Sequence, residues 1–197
     1  MRAGKQVIYW DTSIFLAWLQ DEQWPDEIMD GIEATARQVN NNQIYLITSI
    51  ITDSEILRSR TPAEAYTKWE GVFKRRNVRM VAHDQRVGRK SSQIRDCLLQ
   101  KGIKVATPDS IHLATALIYE ADEFHTLDGA GPHKKASDLI RLNGDPCVEG
   151  LKIIAPSAVT KQMNLLRGVP PEKKKDEIKE AEPESKSAEK GDNETGG

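Results

Sequence analysis

An α/β fold with a mainly parallel sheet is predicted by two features of this sequence. Short apolar runs rich in β-forming residues recur along the chain, and amphipathic helical segments separate them. The predicted strands are residues 6–10, 43–47, 77–81, 123–127 and 151–154. A helix between two strands carries the chain back across the sheet, so consecutive strands run in the same direction.

Capping residues and prolines mark where the intervening helices begin. The predicted starts are Pro25–Asp26, Thr48 or Ser49, Thr61–Pro62, Asp84 and Thr107–Pro108. Apolar side chains at spacing four over residues 24–36 give the first of these helices one buried stripe. The last helix has a continuous apolar body over residues 111–119, which is typical of a helix packed in the core.

Four carboxylates are the candidate functional residues. Asp11 and Asp128 directly follow predicted strands, Asp109 lies in the first turn of a helix, and Glu55 lies in the middle of another. Ligands of open α/β sheets bind outside the carboxyl ends of the strands, which is where three of these acids are expected. For each acid alone, a turn or helix-start role would explain the residue. Their joint placement favours one shared site.

The chemistry of these side chains predicts a hard cation. Carboxylates repel one another, so a fold that gathers several usually gathers them around a divalent ion. Glu55 is preferred over Asp53, its neighbour on a different helix face, because isoleucines flank it. His112, one turn after Asp109, could contact a substrate, and His125 is expected to be packed. Neither histidine has a soft ligand nearby that would indicate zinc.

The charge of the chain is unevenly distributed. Residues 172–197 hold six Lys and nine acidic residues with one large apolar side chain, so we expect a disordered tail over 169–197 after a domain of 1–168. Residues 1–57 hold three basic and nine acidic groups, and residues 58–104 hold thirteen basic and four acidic groups. Such a basic block is compatible with a polyanionic substrate, although solvated helix faces would explain it equally well.

Two observations predict where the protein works. Cys97 and Cys147 lack metal-site spacing, and one possible disulfide is a poor framework for a domain of this size, so a reducing compartment is expected. The N-terminal residues lack an apolar signal core, and the longest apolar stretch is too short to cross a bilayer. We therefore expect a cytoplasmic protein without a membrane partner.

With these positions marked, the chain resembles the PIN domain family, which includes the VapC toxins of bacterial toxin–antitoxin pairs. The resemblance covers roughly residues 6–157 and rests on IYWDTSIFLAWL, on Glu55 after an apolar strand, on PDSIHLATAL and on FHTLDG. It implies a three-layer α/β/α sandwich and hydrolysis of phosphodiester bonds that depends on Mg²⁺ or Mn²⁺. Residues 129–133 lack the further Asp or Asn that some members carry, which leaves the number of ions open.

Carried over residue by residue, the resemblance makes the quartet Asp11, Glu55, Asp109 and Asp128 catalytic. Three of these acids, Asp11, Asp109 and Asp128, are the expected metal ligands. Ser13 and Thr126 are expected to orient Asp11 or hold a water molecule. The basic residues expected to contact RNA phosphates are Arg86, Arg89, Lys90 and Arg95.

The sequence therefore predicts a metal-dependent ribonuclease, and the toxin of a toxin–antitoxin pair is one role that such an enzyme could have. The alternative is a PIN-fold module that binds RNA or protein with little or no catalysis. An aspartyl-phosphate enzyme is disfavoured because the second acid expected two residues after Asp11 is absent. An antitoxin partner or a homodimer is expected through the apolar surface around Trp18, Trp24, Ile28 and Ile32.

Overall fold

A single five-stranded parallel sheet forms the centre of the computed structural model, which describes residues 4–20, 22–133, 135 and 138–158. Its strands are β1 Val7–Trp10, β2 Tyr45–Ser49, β3 Val78–Val81, β4 Glu123–His125 and β5 Lys152–Ile154. Their spatial order is β3-β2-β1-β4-β5, and every neighbouring pair is parallel. The predicted fold class is confirmed. The boundaries differ most at β2, which lies two residues later than predicted, and at β4, which ends two residues earlier, at His125; the other three strands each begin one residue later than predicted.

Six α-helices connect and flank these strands in the described part of the chain. They are α1 Thr12–Gln20, α2 Asp26–Asn40, α3 Ile51–Glu55, α4 Ala63–Val72, α5 Gln85–Gln100 and α6 Thr107–Ile118. Single 3₁₀ turns lie at Arg58–Arg60, Leu139–Leu142 and Pro146–Val148. None of the described helices combines the length and the apolar character that a bilayer crossing requires.

The helix starts follow the capping predictions only in part. Asp84 caps α5 as predicted, because its carboxylate accepts hydrogen bonds from the amides of Arg86 and Val87 at 2.9 and 3.0 Å. The cap predicted for α3 is found only in part: the Ser49 hydroxyl accepts a hydrogen bond at 3.4 Å from the amide of Ile51, the first residue of that helix, but Ser49 is not at the N-cap position. Ile50 precedes that helix without a capping side chain, and the Thr48 hydroxyl instead donates to the Trp10 carbonyl at 2.9 Å.

The segment after β1 also differs from the prediction. None of the predicted helix starts lies before Pro25, but α1 begins at Thr12, directly after Asp11. The Asp11 carboxylate accepts a hydrogen bond from the Ile14 amide at 3.3 Å. This satisfies one of the backbone donors that a helix start leaves unpaired, so the acid that ends the strand also stabilises the helix that follows.

Alternation of side chains along β1 divides the core into two layers. Val7 and Tyr9 pack with buried residues of α5 and α6 on one face of the sheet. Ile8 and Trp10 pack with buried residues of α1, α2 and α4 on the other face. Helices on both faces of a parallel sheet make the predicted three-layer sandwich, and its strands are accordingly apolar on both sides.

The apolar surface expected to bind a partner is largely internal. Ile28 and Ile32 of α2 are buried in the chain's own core. Trp18 is half-buried against Trp10, with the Lys68 ammonium 3.7 Å from the centre of its ring. The expectation of excess apolar surface in this region is therefore wrong for the two isoleucines, because α2 uses them to cover the sheet.

Two further expectations concern the ends of the domain. The disordered tail predicted at 169–197, and with it the domain boundary, lies outside the described residues. Cys97 of α5 and Cys147, in the turn before β5, form a disulfide with their Cα atoms 5.6 Å apart. The spacing of the two cysteines in the sequence did not decide whether they form a disulfide.

Candidate active site

The four predicted acids line one cavity of about 490 Å³ at the carboxyl ends of the strands. Asp11 follows β1, Glu55 is the last residue of α3, Asp109 lies in the first turn of α6, and Asp128 lies three residues beyond β4. The parallel sheet brings them together because the ends of β1, β2 and β4 meet at the same edge. Other side chains complete the wall: Thr12, Ser13, Leu16, Ser54, Leu57 and His112.

Asp11 is the most enclosed of the four acids, with 6% of its surface exposed. The Ser13 hydroxyl donates to its Oδ1 atom at 2.6 Å, and the Thr126 hydroxyl provides a second side-chain hydrogen bond. Burial raises the pKa of Asp11, while the nearby His112 and the hydrogen bonds from Ser13 and Thr126 oppose that rise. Both predicted supporting residues thus contact Asp11 directly.

Ser13 and Thr126 also connect Asp11 to the chain that follows β4. The Leu127 amide donates to the Ser13 hydroxyl at 2.9 Å, and the Asp128 amide donates to the Thr126 hydroxyl at 3.0 Å. These bonds fix the start of α1 relative to the segment carrying Asp128. Two of the four acids are therefore held in register by one hydrogen-bond network.

Asp128 is held from its other side by a tight turn. Its Oδ2 atom accepts a hydrogen bond from the Leu139 amide at 3.0 Å. Gly129 has a φ of 90°, and a Cβ atom there would lie 2.7 Å from the Cβ of Asp138. Only glycine fits this position, since both the backbone conformation and the space exclude a side chain.

Glu55, and not Asp53, points into the cavity. Its Oε2 atom accepts a hydrogen bond from the Thr12 hydroxyl and lies 3.1 Å from Nε2 of His112. The Trp69 indole donates to Asp53 at 3.3 Å, which turns that acid toward α4. Glu55 ends a five-residue helix and does not lie in the middle of one, so its predicted position in the helix was wrong.

The acids influence one another's ionisation. Burial and the neighbouring Asp128 charge raise the pKa of Asp109 to about 6, with smaller contributions from Asp11 and Glu55. Burial alone would raise the pKa of Glu55, but hydrogen bonds from His112 and Thr12 outweigh it and lower that pKa. One carboxyl of the quartet is thus poised to gain or lose a proton near neutral pH while another stays ionised.

The donor set fits a hard divalent cation. It consists of carboxylate and hydroxyl oxygens, and a cation would offset the burial and the repulsion from Asp128 that raise the pKa of Asp109. In the part of the chain that the structure describes, no three His, Cys, Asp or Glu side chains are close enough as they stand to hold one ion.

The basic residues of α5 do not line this cavity. Arg86 forms an ion pair with Asp84 at 2.9 Å, and Lys90 pairs with Glu149. Arg89 and Arg95 form no ion pair with any described residue, and they line two clefts that share Ser92. The four predicted RNA contacts therefore fall into a paired and an unpaired group.

The sequence allowed His112 a contact with substrate, and it did not indicate four further residues of the cavity wall: Thr12, Leu16, Ser54 and Leu57. His112 is 3% exposed and contacts Tyr9 and Glu55, so it belongs to the wall of the cavity and not to its open surface. Thr12 follows Asp11 directly, and a hydroxyl beside a candidate catalytic acid was the signal available for it. The two leucines carried no such signal, because isolated apolar residues are normal on surfaces.

Comparison with solved structures finds chains that are similar to this one. VapBC2 from Rickettsia felis, solved bound to a promoter DNA fragment, is 14% identical with a TM-score of 0.51, covering 76% of this chain and 98% of its own. FitAcB from Neisseria gonorrhoeae is 16% identical with a TM-score of 0.47, covering 75% and 96%. At such identities the R. felis structure shows a likeness of fold. No protein of curated function matches the sequence significantly.

The sequence itself matches the family model described as PIN domain over residues 8–136. The match spans more than half of the chain and includes all four acids of the cavity. The chain therefore belongs to the PIN domain family.

Proposed function

We propose that this protein is a metal-dependent ribonuclease that hydrolyses RNA phosphodiester bonds at the cavity lined by its four acids. PIN domains are generally nucleases, which supports the reaction class. The observation that carries the proposal is the meeting of Asp11, Glu55, Asp109 and Asp128 at one edge of the sheet. No nucleophilic side chain paired with a base is needed, since such hydrolysis uses water directly.

Within this proposal, Asp11, Asp109 and Asp128 hold Mg²⁺ or Mn²⁺. When bound, such an ion stabilises negative charge on a phosphate and lowers the pKa of water. Ser13 and Thr126 keep Asp11 oriented through their hydrogen bonds to its carboxylate. A carboxylate that the ion does not fully occupy, for which we propose Asp109, accepts a proton from the attacking water.

Incubation of the purified protein with a mixture of structured RNAs tests the proposal. We expect cleavage with Mg²⁺ or Mn²⁺ and none with EDTA, and an Asp11→Asn protein should be inactive with either metal. RNA binding without cleavage under all these conditions would instead support the alternative, a PIN-fold module that binds RNA or protein.

A toxin role, with an antitoxin as partner, a possible homodimer and a cytoplasmic location, extends this proposal. Family membership supports it, since PIN-type toxins are held inactive by an antitoxin. The half-buried Trp18 and Trp24 are the aromatic residues left at the surface of the region expected to bind a partner. Sedimentation of the protein alone and with the product of a neighbouring small gene tests both kinds of assembly.

Metal affinity should depend on pH. Because the Asp109 carboxyl must be ionised to bind a cation, affinity for Mn²⁺ should be constant above its pKa of about 6. Below that pH it should fall by up to about tenfold per unit. Calorimetry between pH 5 and 8 measures this, and an Asp109→Asn protein should show weak binding with a flatter profile. Equal affinity at pH 5 and 7.5 would contradict a ligand role for Asp109.

RNA binding should depend on salt through Arg89 and Arg95, the two arginines of α5 that form no ion pair with a described residue. Removing one arginine that binds a phosphate of single-stranded RNA should reduce the slope of log affinity against log salt by about 0.7. We expect Arg89→Gln and Arg95→Gln to show this reduction in filter-binding titrations with EDTA. Arg86→Gln serves as the matched comparison, because Asp84 already neutralises that side chain. Unchanged slopes would indicate that the basic residues of α5 contact solvent and not RNA.

A further inference from the structure

His112 is buried between a tyrosine and one of the four acids. Its Nδ1 atom lies 2.6 Å from the Tyr9 hydroxyl, and its Nε2 atom lies 3.1 Å from Oε2 of Glu55. Tyr9 is fully buried, and its ring stacks on Phe124 with the centroids 4.9 Å apart and the planes 7° from parallel. Both ring nitrogens of His112 are therefore engaged, and the tyrosine ring that supports it from β1 is fixed.

The Ser49 amide at one end of this chain of groups and the Glu55 carboxylate at the other favour one direction for its hydrogen bonds. The Ser49 amide donates to the Tyr9 hydroxyl oxygen at 3.0 Å. The hydroxyl then has its single proton to donate to Nδ1 of His112. A neutral imidazole that accepts at Nδ1 carries its proton on Nε2, which is the atom that faces Glu55.

Glu55 needs such support because of where it lies. It is the last residue of the five-residue helix α3, and its side chain is 33% exposed, so packing alone leaves the carboxylate several rotamers. The hydrogen bonds from Thr12 and His112 both fall on Oε2. Oε1 accepts no hydrogen bond from the described residues, which leaves it available to the cavity.

We propose that His112, held in its Nε2–H form by Tyr9, is a positioning residue that fixes the Glu55 carboxylate toward the cavity. The role of Glu55 in cleavage rests on the proposed function, but the hydrogen-bond chain does not. Contact of His112 with substrate, which the sequence allowed, is disfavoured by its burial and by the use of both nitrogens. His112 thus resembles residues that orient a functional side chain through a hydrogen bond without contacting the ligand themselves.

The first measurement is independent of activity. In ¹⁵N spectra of the imidazole groups, wild-type His112 should show an unprotonated Nδ1 and a protonated Nε2. Tyr9→Phe removes one hydroxyl and keeps the ring stacked on Phe124, so His112 should then populate both tautomers. Tyr45→Phe, a change on the neighbouring strand outside the four-acid cavity, should leave the His112 signals unchanged. A wild-type His112 protonated mainly on Nδ1 would overturn the proposal.

The second measurement uses RNA cleavage. Tyr9→Phe should lower kcat about ten- to a hundredfold with little change in KM, because the substrate-binding surface is untouched. His112→Gln, whose amide can still donate to Glu55, should retain more activity than His112→Leu. Full kcat in Tyr9→Phe, or equal losses in the two His112 variants, would overturn the proposal. If wild-type protein cleaves no RNA, the proposed function fails and the tautomer spectra alone decide the positioning role.

Discussion

Replacing Asp109 by Asn should reduce metal-dependent RNA cleavage by about a thousandfold and should also make the metal-free protein more stable near neutral pH. Activity falls because the variant loses both an expected metal ligand and the expected proton acceptor. Stability rises because the native cavity disfavours the ionised carboxylate. A surface substitution without functional consequence would produce neither effect.

The sign of the stability change follows from the pKa. Burial and the other acids raise the pKa of Asp109 to about 6, above the value of 3.8 for a free side chain. The stability that the protonated acid provides is complete below pH 3.8 and is lost as the pH rises through 6. The full shift corresponds to about 3 kcal/mol, which solvent screening of a half-buried group reduces to about 2. Loss of a favourable charge at the start of α6 leaves a net gain of about 1 kcal/mol.

Urea unfolding of both proteins in EDTA at pH 4 and pH 7.5 measures this gain. We expect the variant to be more stable at pH 7.5 and similar to wild type at pH 4. Asp53→Asn is the matched control, since Asp53 accepts from Trp69 outside the cavity and an amide oxygen can replace it there. That control should keep both activity and stability. A destabilised Asp109→Asn protein at pH 7.5 would show that the acids do not repel one another as described.

The sequence predicted the positions that depend on strand ends. Asp11 directly follows β1 as predicted, and Asp128 lies at the same edge although three residues beyond β4, because apolar runs of β-forming residues stop just before both acids and parallel strands present their carboxyl ends at one edge. Asp109 was placed by its helix-start signal. In each case a local pattern determines where the backbone goes, and the topology then determines where the side chain lies.

The remaining features depend on tertiary contacts that leave no local pattern. The direction of Glu55 is set by Thr12 and His112, which are 43 and 57 residues away in sequence. Lys90 was predicted to contact RNA, but it pairs with Glu149, 59 residues away. Ile28 and Ile32 belong to an apolar stripe on α2, and the same stripe would be seen in the sequence of a helix that faces a partner protein and of one that faces the chain's own sheet. These features can be determined only from the tertiary structure.

Reduction of the Cys97–Cys147 disulfide should lower the free energy of unfolding by about 4 kcal/mol. The bond closes a loop of 50 residues, and a cross-link of that length restricts the unfolded chain by about this amount in the chain-entropy model. It joins α5 to the turn before β5, where Lys101 and Asp145 also form an ion pair at 2.7 Å. Surface pairs of that kind contribute about 1 kcal/mol or less, so they cannot replace the bond.

Urea unfolding with and without a thiol reductant measures the loss, and a Cys97→Ala/Cys147→Ala protein should be insensitive to the reductant. Cleavage by the folded fraction should be the same in all these forms, because neither cysteine lines the cavity of the four acids. Equal stability of the oxidised and reduced proteins would contradict the prediction. In a reducing cytoplasm the dithiol form would prevail. The proposed location therefore requires that the sheet and its two helical layers remain folded without this bond, which the reduced wild-type protein tests directly.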